Sequence, residues 1–395
     1  MELYDKGYRV AIGSLDDPDT YKKMRVGHSS LVFADNSDQM NTNIAYTIRE
    51  FSEDVPIITT ADSMDSVDIL DLAGSSYVME PRKMIGESIA RRTIGSDAAA
   101  SRIGTFENLV IAEAPALGTP LEGKTLLELE LRRKIGINVI GFWEHGDFIT
   151  PKPDYVINKS TVLVIAGTEK QIENYDEMFV IFQVNPHPVV IIGSGRVGVS
   201  AANILKSRGI DYIFVEKDEN NIDFPEKTIH GNAADIQTLE KAGINTANSV
   251  IISTNDDAMN IYLTIYCRRL RPDIQIISRA NSDRNISTLH RAGADIIISY
   301  PTITANAVFN YIRQERILML SEGVDIFQVS TPVKLAGLNL IQSNIRQETG
   351  CSVVGIKKGG RLEANPNPQE TFPANSELLL VGTYEQQKKF IEKFI

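Results

Sequence analysis

The amino-acid sequence predicts an α/β chain made of two doubly wound parallel-sheet lobes, the first truncated at its N-terminus, each followed by a small α+β lobe. Three observations carry that prediction. Strand-like apolar runs alternate with helix-like segments, which implies parallel sheets with helical crossovers. One stretch, Val189 to Asp218, sets a strand, a glycine-rich turn, a helix and a second strand in immediate succession. The chain also repeats itself, its larger units at an offset of 219 residues and its smaller ones at 214.

The stretch from Val189 to Asp218 organises the rest. Four β-branched residues, Val189 to Ile192, read as a buried strand and run into Gly193-Ser194-Gly195-Arg196-Val197-Gly198. A helical pattern (Val199, Ala202, Ile204, Leu205) stops at Gly209, and a second strand, Tyr212 to Val215, ends on Glu216. This is the dinucleotide-binding fingerprint in its strand–turn–helix–strand setting, and it marks the lobe as Rossmann-like. Gly193 makes the tight turn, Gly195 lets backbone approach a pyrophosphate, and Gly198 lets helix and strand pack closely. The helix N-terminus favours the phosphate's negative charge. Glu216 lies 18 residues beyond Gly198 and is placed to accept bonds from an adenosine ribose. An acid there repels a 2′-phosphate, so NAD(H) or an adenine nucleotide such as ADP or ATP is favoured over NADP.

From the N-terminus, Arg9–Ile12, Leu31–Ala34 and Val55–Thr59 read as strands, with Ile44–Phe51 and Val67–Ala73 between and after them. Beyond Arg92 the pattern becomes a separate small unit. Its strands are Leu109–Ala112, Val139–Trp143 and Val162–Ala166; Leu126–Lys134 and Lys170–Phe179 are helical. Asn185-Pro186-His187-Pro188 reads as a linker into the fingerprint lobe. The expected divisions are a partial lobe over 1–95, a small lobe over 104–182, a complete lobe over 187–315 and a second small lobe over 321–395.

The repeat is explicit in sequence. Asp38-Gln39-Met40-Asn41 recurs as Asp257-Ala258-Met259-Asn260, and Leu72-Ala73-Gly74 as Arg291-Ala292-Gly293. In the small units, Leu121-Glu122-Gly123 answers Leu335-Ala336-Gly337, and Val139-Ile140-Gly141 answers Val353-Val354-Gly355. The first copy is incomplete: everything equivalent to Val189–Asp218 would fall ahead of the first residue. That leaves the expected strand at Arg9–Ile12 without its neighbours, an exposed sheet edge of the kind native proteins avoid, and it leads to the expectation that the sequence is a piece of a longer chain.

Composition narrows the functional classes. A net charge of −11 is the wrong sign for a nucleic-acid surface. No apolar run is long enough to span a bilayer. The two cysteines, Cys267 and Cys351, lack metal-ligand spacing and suit a reducing cytoplasm.

Two Rossmann-like lobes, each followed by a small αβ lobe, resemble tandem RCK (regulator of potassium conductance, TrkA-type) domains. Supporting residues are Gly231-Asn232-Ala233-Ala234-Asp235 before Leu239-Glu240-Lys241-Ala242-Gly243, Ile276-Ile277-Ser278-Arg279-Ala280, Arg291-Ala292-Gly293-Ala294-Asp295, Pro81 and Pro301, and Gly118-Thr119-Pro120-Leu121-Glu122-Gly123-Lys124. The resemblance implies the gating ring of a ligand-gated prokaryotic potassium channel, on the cytoplasmic side of the cell membrane. Its pore domain would lie upstream in the same polypeptide or in a separate subunit. The alternative is the peripheral NAD-binding subunit of a Trk-type potassium uptake system. It also implies a homo-oligomer, a tetramer closing a ring of eight domains, joined in part through apolar crossover helices at Ile85–Arg91 and Ile303–Ile312.

The nucleotide site expected from fingerprint and resemblance together comprises Gly193, Ser194, Gly195, Arg196, Val197, Gly198, Glu216, Lys217, Asn232, Ala233, Asn255, Asp256 and Arg279. Arg196 and Arg279 resemble phosphate contacts, a role the bidentate guanidinium suits; an ordinary surface charge is the alternative. Asn255, Asp256 and Asp257 follow the fourth strand at its carboxyl end, where such sheets bind ligands, or form a solvated loop. The family's usual Gly-Asp-Ala-Thr is here Gly231-Asn232-Ala233-Ala234. In the first copy Thr60 stands where the second has Arg279, and the glycine loop and acid are missing, so that copy is expected to bind no nucleotide. Asp35 and Asp62 match carboxylates of calcium-gated members. Calcium takes six to eight oxygens, so two acids read first as exposed strand-end residues; a divalent cation such as Ca2+ held with their help is the alternative. His28, His145, His187, His230 and His290 show no spacing for a metal or a triad. A rival reading, an NAD-dependent oxidoreductase, needs a general acid or base near the nicotinamide, and no Tyr-x-x-x-Lys or His–Asp pairing supplies one. No catalytic residue is expected.

Overall fold

The computed structural model describes the chain except residues 1–3, 5–6, 94–99, 117–118, 145–146, 159–160, 180–186, 313–316 and 322–323. His145, Gly118 of the small-lobe motif, and Asn185 and Pro186 of the expected linker lie outside the described residues.

In the first lobe, helix α1 (Pro18–Lys23) is capped by the Asp17 carboxylate. Then come strand β1 (Val32–Ala34), helix α2 (Asp38–Arg49), strand β2 (Ile57–Thr60), helix α3 (Val67–Leu72) and strand β3 (Tyr77–Met79). The strands pair in parallel in the order β1-β2-β3. Helix α2 forms because Ser37 caps it and because Ile44, Ala45 and Ile48 fall on one face, where they are buried with Ile57 and Val55. Helix α4 (Pro81–Arg92) follows.

Arg9–Ile12, expected as a strand, is not one: the segment has no regular structure and Ile12 is fully exposed. Its counterpart in the second copy is a strand because a neighbour, ending on Glu216, supplies a hydrogen-bonding partner for each residue. Among the described residues no strand pairs with Arg9–Ile12, and an edge strand without a ladder gains too little to be ordered as one.

The first small lobe contains β4 (Ser101–Phe106), β5 (Leu109–Pro115), α5 (Leu126–Leu129), α6 (Leu131–Ile135), β6 (Asn138–Glu144), β7 (Asp147–Ile149), β8 (Val162–Gly167) and α7 (Glu169–Phe179). Its sheet is antiparallel, in the order β4-β5-β8-β6-β7. The single helix read over Leu126–Lys134 is two short ones, broken at Glu130, whose φ is +48°.

The second large lobe runs β9 (Val189–Ile192), α8 (Arg196–Ser207), β10 (Tyr212–Glu216), β11 (Thr228–His230), α9 (Ile236–Lys241), β12 (Ser249–Ile252), α10 (Asp257–Leu270), β13 (Gln275–Ala280), α11 (Ile286–Ala292), β14 (Ile296–Ser299) and α12 (Tyr300–Ile312). Its six strands are all parallel, in the order β11-β10-β9-β12-β13-β14. The order reverses between β9 and β12, the switch point where open α/β sheets hold ligands. The last lobe is β15 (Ile317–Ser321), β16 (Val324–Ser330), α13 (Leu340–Ser343), α14 (Ile345–Thr349), β17 (Ser352–Lys358), β18 (Arg361–Ala364), β19 (Ser376–Thr383) and α15 (Tyr384–Phe394), with an antiparallel sheet in the order β15-β16-β19-β17-β18.

The chain divides into two compact units. One holds residues 1–84 with 307–312, the end of α12, where Tyr311 stacks on Tyr77 at 5.8 Å between ring centroids. The other holds the rest. Within it, α4 lies so close to α8 that a Cβ on Gly86 would come within 2.5 Å of the Val197 carbonyl and of the Ser200 side chain. Arg92 forms a buried pair with Glu113 at 2.9 and 3.0 Å, and its guanidinium lies over the Trp143 ring. Ile85 and Ile89 share one core with Val189, Ile191 and Val197 of the second lobe and with Ile111 and Val164 of the first small lobe.

The duplication extends to individual hydrogen bonds. Arg49 gathers the carbonyls of Ser52, Val55 and Gly74; Arg268, 219 residues on, gathers those of Pro272, Ile274 and Gly293. Asn41 donates to the Thr60 carbonyl as Asn260 does to that of Arg279. Asp38 accepts from the amides of Asp62 and Ser63, and Asp257 from those of Asn281 and Ser282.

Candidate functional site

Strand β9 delivers a fully buried backbone to Gly193. Gly193 adopts φ +100°, a left-handed conformation that glycine alone takes without strain. Gly198 has no room for a side chain: a Cβ there would lie 2.1 Å from the Gly193 carbonyl oxygen. Helix and strand are therefore packed backbone to backbone, as the fingerprint requires. Gly195 differs. It is the N-cap of α8 with an ordinary φ of −68°, supplies no side chain to the cap, and a Cβ on it would meet nothing within 4 Å. The first-turn amides of α8, which no intrahelical carbonyl can satisfy, thus adjoin an open position at Gly195. That helix end has the right polarity for a phosphate.

Around it the structure gathers most of the expected residues. Arg196 is exposed at the start of α8, and Val197 is buried beneath the loop. Arg279 is buried at the carboxyl end of β13, and its guanidinium donates to the Asn255 side-chain oxygen at 2.7 Å. Asn255 stands in the loop after β12, so this contact joins two strand ends on the same side of the switch point. Lys217 and Asn232 are exposed beyond β10 and β11, and Ala233 is buried there. Asn232 accepts from the Ala234 amide, an Asx turn.

Glu216 holds a position that spacing alone does not reveal. One carboxylate oxygen accepts the Ser194 amide at 2.9 Å and lies 3.1 Å from the Ser194 hydroxyl; the other accepts the amides of Lys217 and Asp218, both at 2.9 Å. The acid therefore clamps the glycine loop to the end of β10. The Ser194 hydroxyl is also 2.7 Å from the Asn221 carbonyl. Asp256 caps α10 through the amides of Ala258 and Met259, and Asp257 is held by the amides and side chains of the 281–285 turn. A carboxylate followed two residues later by helical pattern was the available signal for that cap.

The first copy differs at the position of Arg279. Thr60, in place of Arg279, donates to Asp35 at 3.0 Å, and Asp62 pairs with Arg82 at 3.3 Å. Among the described residues no group of three or more His, Cys, Asp or Glu side chains is arranged to hold a metal ion. His230 and His290 sit against the carbonyls of Lys217 and Ala294, each at 3.3 Å. No described helix is long and apolar enough to cross a membrane.

Comparison with known proteins follows the same division. The TrkA-N domain family matches residues 1–81 and 189–300, and the TrkA-C domain family matches 109–180 and 326–395. Potassium channel protein 1 of Methanocaldococcus jannaschii is 27% identical over 223 residues, 53% of this chain and 67% of that protein. A Trk system potassium uptake protein TrkA homolog of Pyrococcus horikoshii is 27% identical over 224 residues, 52% of this chain and 97% of that one. Among solved structures, the RCK domain of GsuK is 33% identical with a TM-score of 0.71, covering 99% of this chain and 86% of that one. The GsuK channel bound to NAD is 32% identical with a TM-score of 0.69, covering 99% and 72%. The chain spans about two thirds of the M. jannaschii channel relatives it matches.

Proposed function

The chain belongs to the family built of TrkA-N and TrkA-C domains, and on that premise we propose that it is a nucleotide-sensing regulatory module which couples NAD or adenine-nucleotide binding to potassium conductance. One observation carries the reading: the second large lobe has an intact glycine loop, with open space at Gly195 and a buried arginine across the switch point. The first copy, with Thr60 at the position of Arg279, would serve as a structural partner. Regulation needs a ligand with different affinity for two states of its receptor. A nucleotide touching both the Gly193 loop and Arg279 would bridge the ends of β9 and β13 across the switch point.

The proposed partner is a potassium pore, in the same polypeptide or another subunit, with the module on its cytoplasmic side as a homo-oligomeric ring of eight domains. The likeness to a GsuK structure bound to NAD supports NAD as ligand. The TrkA homologs, matched along nearly their whole length, favour a second reading as the peripheral subunit of a potassium uptake system. Calcium remains outside the proposal, because Asp62 is engaged by Arg82 and no described cluster completes a shell.

Calorimetry with NAD and with ADP tests the site. One site per chain is expected, abolished by Gly195→Asp. Aspartate is a better N-cap than glycine, so this variant should fold at least as well, while its carboxylate takes the phosphate's place. Two sites of equal affinity would refute the division of labour between the copies. Turnover of NAD with an added alcohol or aldehyde would replace the regulator with an oxidoreductase.

A further inference from the structure

The Glu216 carboxylate is already saturated before any ligand arrives. It has about four lone-pair directions, and the folded chain addresses them all. One oxygen takes the Ser194 amide at 2.9 Å and the Ser194 hydroxyl at 3.1 Å; the other takes the amides of Lys217 and Asp218, both at 2.9 Å. Three of these donors are backbone N–H groups, fixed by the glycine loop and the end of β10. The fourth, the hydroxyl, can rotate away. Ser194 and Glu216 are both buried, so a carboxylate lone pair left bare there carries the desolvation cost of an unsatisfied charged acceptor. A ribose hydroxyl can therefore join Glu216 only by taking the place of the serine's.

That hydroxyl has one proton and two acceptors. Besides Glu216 it faces the Asn221 carbonyl at 2.7 Å, the shorter of the two contacts. One proton makes one straight hydrogen bond at a time. Asn221 ends a single 3-10 turn, Glu219–Asn221, which Asp218 caps through the Asn220 amide at 3.0 Å. The serine thus stands between the carboxylate expected at the ribose and a turn beyond the end of β10. We propose that Ser194 is a positioning residue that reads the ribose of a bound adenosine nucleotide. When a ribose hydroxyl donates to Glu216, the serine proton turns wholly to the Asn221 carbonyl and tightens the 219–221 turn. In the empty site the proton is divided between its two acceptors; in the filled site it is committed to one. The inference rests on the nucleotide site proposed above, and adds the route by which ribose occupancy is passed out of it.

The test compares ADP with 2′,3′-dideoxy-ADP, which keeps the adenine and the phosphates and lacks the ribose hydroxyls. Affinity is read by calorimetry on the full chain. The turn is read by hydrogen exchange at the amides of Asn221 and Ile222, which bond to the carbonyls of Asp218 and Glu219. In wild type, saturating ADP should slow exchange at these two amides by about threefold or more, and the saturating analogue should not. In Ser194→Ala the competing donor is gone, so the preference for ADP over the analogue should rise about three- to tenfold, the worth of one net hydrogen bond. ADP should then no longer protect the turn. Ser194→Thr, which keeps the hydroxyl, should return both readouts towards wild type. Equal protection of the turn by the two ligands in wild type, a comparison that needs no variant to fold, would overturn the proposal. So would a Ser194→Ala chain whose preference matches wild type, as a serine with a merely structural role predicts. If wild type binds neither ligand, the nucleotide reading fails and this inference with it; if it binds both and the turn does not distinguish them, only this inference fails.

Discussion

At the scale of single residues, the three glycines of the loop do different work and should fail differently. Gly198→Ala forces a Cβ against the Gly193 carbonyl and should cost about 3 kcal/mol, the upper range for overpacking a tight contact. Gly195→Ala enters open space and should cost about 1 kcal/mol or less, the ordinary penalty of alanine at an N-cap. Urea unfolding of both variants checks the contrast; equal losses would mean that the loop is tight throughout. The thiols give a second residue-scale expectation. Burial pushes Cys267 up to about 12 and Cys351 up to about 11. A group whose folded pKa is raised stabilises the fold below its unfolded pKa, about 8.5 for a thiol, and loses that contribution as pH rises towards the folded value. Stability should therefore fall between about pH 8.5 and 12 from this source. A thiolate-selective reagent at pH 8 should label neither cysteine until the chain unfolds. Glycine spacing made the loop legible in the sequence. It could not show that Glu216 already accepts from the amides of Ser194, Lys217 and Asp218, because spacing locates a carboxylate without saying which donors fold against it.

At the scale of elements, the repeat explains what was readable and what was not. Strands β9, β12 and β14 are mainly β-branched runs buried on both faces, and such runs announce themselves. Arg9–Ile12 misled because strand propensity is realised only against a neighbour. The break at Glu130 was hidden because nothing in Leu126–Lys134 is a helix breaker; the turn is imposed by packing. Its counterpart Asn344 has φ +49° in the same place between α13 and α14, and asparagine tolerates that conformation better than glutamate. Glu130→Asn should therefore stabilise the first small lobe by about 0.5–1 kcal/mol, and Asn344→Glu should destabilise the last lobe by a similar amount. The exposed Glu130–Arg133 pair given up in the first case contributes little. Thermal melts that move in the opposite sense would show that the side chains, and not the backbone, set the break.

At the scale of the whole molecule, two compact units unequal in chemistry should also be unequal in their response to ligand. A chain of separable units is not bound to unfold in one step. A ligand that binds a folded unit stabilises it by RT ln(1 + [L]/Kd), about 2.7 kcal/mol at a hundredfold excess over Kd. The unit containing residues 85–306 carries the glycine loop, Glu216 and Arg279, whereas the unit containing residues 1–84 carries Thr60 at the position of Arg279. Saturating NAD should then raise the melting temperature of one calorimetric transition by several degrees and leave the other where it was. Gly195→Asp should abolish the shift without lowering either transition. The first unit can be followed through Tyr77 and Tyr311, stacked within it, and the second through Trp143, the only tryptophan. If both transitions rise together with NAD, the first lobe binds nucleotide despite Thr60 at the position of Arg279, or the units unfold as one body. Repeating the scan with Gly195→Asp separates these outcomes, because a shift that survives the substitution can come only from the first lobe.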